Sequence, residues 1–99
     1  MANFKLTKKA VSDLNGIWNY TVVTWSEAQA DKYYRELLDS CQEIADNPNS
    51  GKSYDDIIKS LYGLKVNKHI IFYRISASDE IEITRILHGR MDLKRKFED

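Results

Sequence analysis

The chain has 99 residues, 42% of them apolar and 30% charged, and its 15 basic side chains are balanced by 15 acidic ones. This length and composition predict one globular domain over residues 1–99 with a single modest core, and they argue against intrinsic disorder. The zero net charge counts against a free-standing nucleic-acid binder, because affinity for the phosphate backbone comes from accumulated lysine and arginine.

Hydropathy and cysteine usage restrict the environment of the protein. No stretch approaches the roughly 18 consecutive apolar residues of a membrane helix, and residues 1–5 lack the basic and apolar regions of a secretory signal. We therefore expect a cytoplasmic protein without a membrane partner. Cys41 is the only cysteine, so an intrachain disulfide and a cysteine-based metal site are excluded. We interpret it as a small apolar core residue.

The first two predicted elements are a short strand and an amphipathic helix. Phe4 and Leu6 alternate with polar neighbours, which predicts a half-buried strand. Thr7 is the predicted N-cap of the helix, and Gly16 within it is interpreted as marking close packing against a neighbouring backbone. Apolar side chains of this helix recur at three- and four-residue steps. They are Ala10, Leu14, Ile17, Trp18, Thr21 and Trp25.

A second helix follows directly. Ser26 with Gln29 three residues later forms a capping-box pattern, which closes the first helix at Trp25 and opens the next. Asn47-Pro48 ends it, giving about 20 residues and a length of about 30 Å. Its apolar positions are Ala30, Tyr33, Tyr34, Leu37, Leu38, Cys41, Ile44 and Ala45. The hairpin is predicted to pack on a sheet through Leu14, Ile17, Trp18, Leu37, Leu38 and Ile44.

The second half of the chain predicts three strands joined by hairpins. Residues 47–53 read as a turn-rich loop and residues 55–60 as one helical turn. Leu64 and Val66 alternate with a lysine as a strand, and Asn67-Lys68 forms a two-residue turn. Residues 69–75 are nearly continuous in apolar side chains, as expected of a central strand buried on both faces, and the last strand runs from Ile81 to about His88.

The order of these elements predicts an α+β fold. An N-terminal strand and an antiparallel helical hairpin would pack on a three- to four-stranded antiparallel sheet in the order β-α-α-β-β-β.

The charges are unevenly distributed along the chain. Residues 25–60 carry eight acids against four bases. Residues 85–96 are basic, with Arg85, Arg90, Lys94, Arg95 and Lys96 beside His88 and a single acid, Asp92. The signatures GxGxxG, GxxxxGK[ST], HExxH and GxSxG do not occur, which argues against nucleotide-binding, zinc-hydrolase and serine-hydrolase functions. We expect no cofactor and no metal.

Three separated motifs resemble a known family. Residues 86–92 (ILHGRMD) are similar to the terminal signature of ParE-like toxins, and residues 69–74 (HIIFYR) to their central strand. Residues 17–48 also fit, so the resemblance to the ParE-like branch of the RelE/ParE superfamily covers nearly the whole chain. The chain departs from the family at Lys8, where relatives often have proline, at Ser26, where they often have glycine, and at Tyr62, near which many carry arginine.

The resemblance implies the toxin of a type II toxin–antitoxin pair, held inactive by a ParD-like antitoxin whose C-terminal segment wraps it. ParE-like members inhibit DNA gyrase by binding, whereas the RelE-like branch cleaves mRNA on the ribosome. We favour the non-enzymatic gyrase inhibitor, because no tyrosine follows Tyr73 and the net charge is zero. A catalytic set of Arg85, His88 and Arg90 keeps the endonuclease as an alternative, and a non-toxic orphan binding module is a second one. Sequence-specific nucleic-acid binding is not expected.

Candidate site residues follow from this reading. Candidates for contact with the target are Arg85, His88, Arg90, Met91 and Phe97. Candidates for contact with the antitoxin are Trp18, Trp25, Tyr33, Tyr34, Lys94, Arg95 and Lys96. The alternative for the aromatic residues is core packing, and for the charged residues solvation at the surface. His69 is a weaker candidate, because it opens a buried strand.

Overall fold

A computed structural model of the chain describes residues 3–90 and 92–98, and of Glu98 the backbone only. The elements in chain order are β1 (Phe4–Leu6), α1 (Lys8–Thr24), α2 (Glu27–Asp46), a 3₁₀ turn (Pro48–Ser50), β2 (Lys52–Ser53), β3 (Tyr62–Val66), β4 (His69–Ile75), β5 (Ile81–His88) and α3 (Leu93–Glu98). None of the helices in these ranges is long and apolar enough to cross a membrane.

The five strands form one sheet in the order β1-β5-β4-β3-β2. β2, β3, β4 and β5 pair antiparallel, whereas β1 runs parallel to β5, with Phe4 opposite Ile81. The α+β fold is confirmed, but the sheet is wider than the three to four antiparallel strands expected. The extra strand is β2, which lies in the predicted loop and pairs with Tyr62 and Gly63.

Both helix starts are capped as the sequence predicts. The Thr7 hydroxyl accepts a hydrogen bond from the Ala10 amide at 3.1 Å, and it donates to the Thr84 carbonyl of β5 at 2.8 Å. The Ser26 hydroxyl accepts from the Gln29 amide at 3.0 Å. Each cap satisfies an amide that the helix itself leaves without a partner, and the first one also joins α1 to the sheet.

The helical hairpin covers one face of the sheet, and the larger hydrophobic core lies between them. Leu14, Leu37 and Ile44 are fully buried there, and Ile17 and Leu38 pack against them partly buried. The prediction for Trp18 is wrong, because its ring lies outside this core and its Nε1 donates to Asp31 at 3.0 Å.

Trp25 and Gly16 also differ from the prediction. Trp25 is 73% exposed, because it follows the last turn of α1 and turns away from the sheet. A Cβ on Gly16 would meet no atom within 4 Å, so this exposed glycine marks open space on α1 and not close packing.

The second face of the sheet is covered by short segments. Leu61, Ile70, Phe72 and Leu87 form a smaller core there. It is closed by Tyr54, Ile57, Ile58, Leu93 and Phe97. Burial of β4 on both faces is thereby confirmed. Residues 55–60 form hydrogen-bonded turns and not the expected helical turn. The helix α3, for which the sequence pattern gave no prediction, is held by its two apolar residues, Leu93 and Phe97.

Adjacent leucines of α2 provide a test of this packing. Leu37 is fully buried and Leu38 only partly. We expect Leu37→Ala to lower the free energy of unfolding by about 3 kcal/mol and Leu38→Ala by about 1 kcal/mol, because the first substitution leaves a closed cavity. Urea unfolding of both variants measures the difference. Equal losses would contradict the helix phase described here.

Candidate functional site

A groove of about 1160 Å³ lies between the helical hairpin and the end of the sheet where β4 begins and β5 ends. One wall is α1 from Ser12 to Trp25, and the other is formed by the turn at residues 67–69 and by residues 86–88. Tyr33 of α2 closes it from below, and Arg90 stands at the rim. The groove therefore collects residues that are far apart in sequence.

Three aromatic rings form a contiguous cluster in this groove. His69 lies opposite His88 in the β4–β5 register, with ring centroids 5.4 Å apart in an edge-to-face arrangement. On its other side His69 Nδ1 is hydrogen-bonded to Tyr33 Oη at 2.7 Å. Tyr33 Oη also donates to the Val66 carbonyl at 3.2 Å. The cluster thus joins α2 to the β3–β4 turn.

Burial determines the protonation of this cluster. Desolvation, followed by repulsion from His88, lowers the pKa of His69 below its ordinary value of 6.5. Burial and the nearby Glu36 carboxylate raise the pKa of Tyr33. Near neutral pH the His69 imidazole and the Tyr33 hydroxyl are therefore uncharged, as suits their partly buried positions in the groove.

The end of β5 is hydrogen-bonded to the neighbouring β3–β4 turn. Gly89 donates its amide to the Lys68 carbonyl at 2.8 Å, and the Arg90 amide donates to His88 Nδ1 at 3.1 Å. The second bond makes Nδ1 the acceptor, so a neutral His88 carries its proton on Nε2. The Arg90 side chain remains exposed at the rim. The groove therefore carries an exposed cation next to an imidazole that is held by a backbone hydrogen bond.

A buried ion pair separates the groove from the opposite side of β5. The Arg85 guanidinium donates to both Asp13 oxygens, at 2.8 and 3.0 Å, and the Ile86 amide donates to the same carboxylate at 2.9 Å. The two side chains are only 17% and 14% exposed. Hydrogen bonding to Asp13 raises the pKa of Arg85 further. Arg85 is therefore a link between β5 and α1, and its charge is offset by the Asp13 carboxylate.

The candidate target contacts are dispersed by the fold. His88 and Arg90 line the groove, whereas Arg85 is occupied by Asp13. Phe97 packs edge-to-face on Phe72 at 5.0 Å, on the other face of the sheet. Met91 lies outside the described residues.

The candidate antitoxin contacts are dispersed too. Trp25 and Tyr33 line the groove, and Trp18 and Tyr34 do not. The basic residues of α3, Lys94, Arg95 and Lys96, are exposed and lie away from the groove. Sequence reasoning missed Tyr20, a groove residue that is 68% exposed. The sequence signal that could have identified Tyr20 is that a large aromatic side chain lies outside the apolar stripe of α1.

No metal-binding cluster of three or more His, Cys, Asp or Glu side chains occurs within residues 3–90 and 92–98. The two histidines of the groove are accompanied by hydrogen-bonding and cationic groups, which suit contact with a polar partner.

Comparison with known sequences identifies one family. The family described as ParE toxin of type II toxin-antitoxin system, parDE, matches residues 4–93. Toxin ParE1 of Mycobacterium tuberculosis is 34% identical over 96 residues, 97% of this chain and 98% of the relative. Toxin ParE1 of Caulobacter vibrioides is 31% identical over 94 residues, 95% of this chain and 96% of the relative.

Solved structures show the same fold. A chain of the chromosomal ParDE toxin–antitoxin system of P. aeruginosa superposes with a TM-score of 0.77 at 23% identity, covering 89% of this chain and 96% of its own. A chain of the RelBE2 toxin–antitoxin complex of Mycobacterium tuberculosis superposes with a TM-score of 0.68 at 14% identity, covering 88% of this chain and 96% of its own.

The lowered pKa of His69 makes stability depend on pH. The folded protein binds the His69 proton less readily than the unfolded chain, whose value is 6.5, so this contribution to stability is present above pH 6.5 and is lost as the pH falls below it. We expect the parent to lose more stability than His69→Gln between about pH 7.5 and about pH 5.5 in urea unfolding. Parallel losses in the two proteins would contradict the burial of a neutral His69.

Proposed function

Because this chain belongs to the ParE toxin family of type II toxin–antitoxin systems, we propose that it binds and inhibits DNA gyrase and that a cognate ParD-like antitoxin neutralises it. The observation that carries the proposal is the match to proteins named Toxin ParE1 along nearly the whole chain, with up to 34% identity. The groove supplies the surface on which both interactions can be tested.

The antitoxin is proposed to dock in the groove. The two structural relatives come from a ParDE system and a RelBE2 toxin–antitoxin complex, which supports a partner of the same kind. Trp25 and Tyr20 expose 73% and 68% of their surface beside the groove. Exposed aromatic side chains bordering a concave surface are suited to be the apolar anchors of a protein interface. An amphipathic segment can cover them while its acidic side chains face Lys68 and Arg90.

Target binding is proposed to use the same groove. Arg90 is the exposed cation at its rim, and a guanidinium engages a carboxylate or phosphate with two parallel hydrogen bonds. An antitoxin that occupies the groove would cover Arg90 and His88. Two candidates of each set, His88 and Arg90 for the target and Trp25 and Tyr33 for the antitoxin, line this groove, which supports neutralisation by occlusion.

Inhibition by binding requires no proton transfer, only a rigid platform with a few anchors. The fastened end of β5 and the ion pair behind it provide such a platform. One observation favours the alternative of mRNA cleavage, namely that two imidazoles, a side chain that can serve as general acid or base, line the same groove. However, Nδ1 of each ring is already hydrogen-bonded, and the more similar relatives are named ParE.

Trp25 tests the antitoxin proposal. With the small protein encoded in the adjacent reading frame as the probe, we expect Trp25→Ala to weaken binding by roughly 30-fold, because a truncated anchor costs about 2 kcal/mol. Val23→Ala is the matched control, an exposed apolar residue of α1 that does not line the groove. Isothermal titration calorimetry measures both variants. Unchanged affinity of the Trp25 variant would show that the groove is not part of the interface. Absence of binding by the parent would favour the orphan binding module.

Arg90 tests the mechanism. We expect Arg90→Ala to abolish growth inhibition, because the anchoring cation is lost, while folding is retained and antitoxin affinity changes by less than about tenfold. Arg74→Ala is the control, since Arg74 is exposed at the opposite end of β4.

The purified parent and both arginine variants are incubated with gyrase and supercoiled or relaxed plasmid, and in parallel with ribosomes translating an mRNA. Loss of supercoiling or trapped cleavage complexes with intact mRNA are expected for the parent and for Arg74→Ala. Codon-dependent cuts in the mRNA with unaffected gyrase would refute the proposal and establish the endonuclease.

A further inference from the structure

A second cleft, of about 370 Å³, lies on the other side of the Arg85–Asp13 ion pair. Four of the residues that line it are cationic, namely Lys8, Lys9, Arg85 and Lys96, and the others are two threonines and Phe97. We call it the basic cleft. It shares no lining residue with the groove.

Two structural contacts bring these cations together from opposite ends of the chain. The Thr7 hydroxyl and amide bond to the Thr84 and Ile83 carbonyls, which fixes the first turn of α1 against β5. The Phe97 ring packs on Phe72, which fixes α3 beside that turn. Lys96 thereby lines the same cleft as the lysines of α1, while Lys94 and Arg95 of the same helix do not line it.

Two of the cations that line the cleft, Lys8 and Lys96, have no acidic partner among the described residues. Asp13 receives Arg85 and the Ile86 amide, so its carboxylate is neutralised within the wall. None of the described residues that line the cleft is acidic. Lys8 and Lys96 are exposed. Like charges that line one cleft repel one another, and a polyanion would relieve that repulsion.

The chemistry of the lining identifies the polyanion. A protein partner draws most of its affinity from apolar anchors, and single-stranded nucleic acid from aromatic rings that stack on bases. The one aromatic ring of the basic cleft, Phe97, is packed into the smaller core. The backbone of duplex DNA needs neither, because its affinity comes from phosphates neutralised by lysine and arginine. We propose that the basic cleft binds the phosphate backbone of duplex DNA, without base-sequence preference.

This binding is compatible with zero net charge. Acids outnumber bases two to one in residues 25–60, so the protein is electrostatically polarised and presents its basic side to DNA. Only a few phosphates are contacted, so the affinity is weak and falls with salt. On a gyrase–DNA complex the cleft would add a DNA contact to the protein contact of the groove. This role on gyrase rests on the proposed function. Binding by the isolated protein does not depend on that function.

The test measures the anisotropy of a labelled duplex of about 20 base pairs between about 50 and 200 mM salt. We expect the parent to bind with a slope of log K against log salt near −3, which corresponds to about three phosphates. Lys8→Ala/Lys96→Ala should weaken binding at least tenfold at the lowest salt and reduce the slope by about two. The control is Lys32→Ala/Lys59→Ala, which removes the same charge at two exposed lysines far from the cleft in sequence.

Three results would overturn the inference. They are no duplex binding by the parent at low salt, equal weakening in the two double variants, and a poly-glutamate peptide that binds as tightly as the duplex with the same dependence on Lys8 and Lys96. The second result would indicate that binding depends on net charge alone. The third would indicate that the cleft binds an acidic protein partner. Melting curves by circular dichroism verify that both variants are folded, and the assay contains no gyrase.

Discussion

The structure depends on one ion pair, which joins α1 to β5 where the sheet loses its outer strand. β1 pairs with β5 only as far as Ile83, and the Ile86 amide then lacks a strand partner. Asp13 supplies the acceptor and receives the Arg85 guanidinium as well. The pair is partly buried, so removing one partner would leave the other charge partly desolvated and unpaired, which destabilises the folded state. The pair therefore holds the hairpin on the sheet and forms the wall between the two clefts.

On the two sides of this wall the surfaces have different chemistry. The groove combines exposed aromatic side chains with hydrogen-bonded imidazoles, and its cations stand at the rim. The basic cleft is lined by four cationic residues, two threonines and Phe97. An apolar groove discriminates by shape and is suited to a folded or folding protein segment, whereas a cationic cleft discriminates by charge alone. The two surfaces are therefore suited to different kinds of partner.

Much of the fold was predictable because its signals are local. The caps at Thr7 and Ser26, the end of α2 before Pro48 and the alternation of Leu64 with Val66 each involve residues within a few positions of one another, and each is confirmed. Asn67 adopts a positive φ of 53° in the expected two-residue turn. The family resemblance, drawn from motifs in a fixed order, is confirmed by the relatives.

Most of the elements, their order and the family are predictable from the sequence, because periodicity, capping and motif order are properties of neighbouring residues; β2 and α3 are the exceptions. Which side chains are available to a partner depends on the tertiary structure. Arg85 looked like a surface cation and is bound by Asp13, 72 residues away. Trp25 belonged to an apolar stripe and is exposed. Lys96 became a neighbour of Lys8 because Phe97 packs on Phe72. Contacts between such distant residues leave no local pattern, since they depend on how whole elements pack.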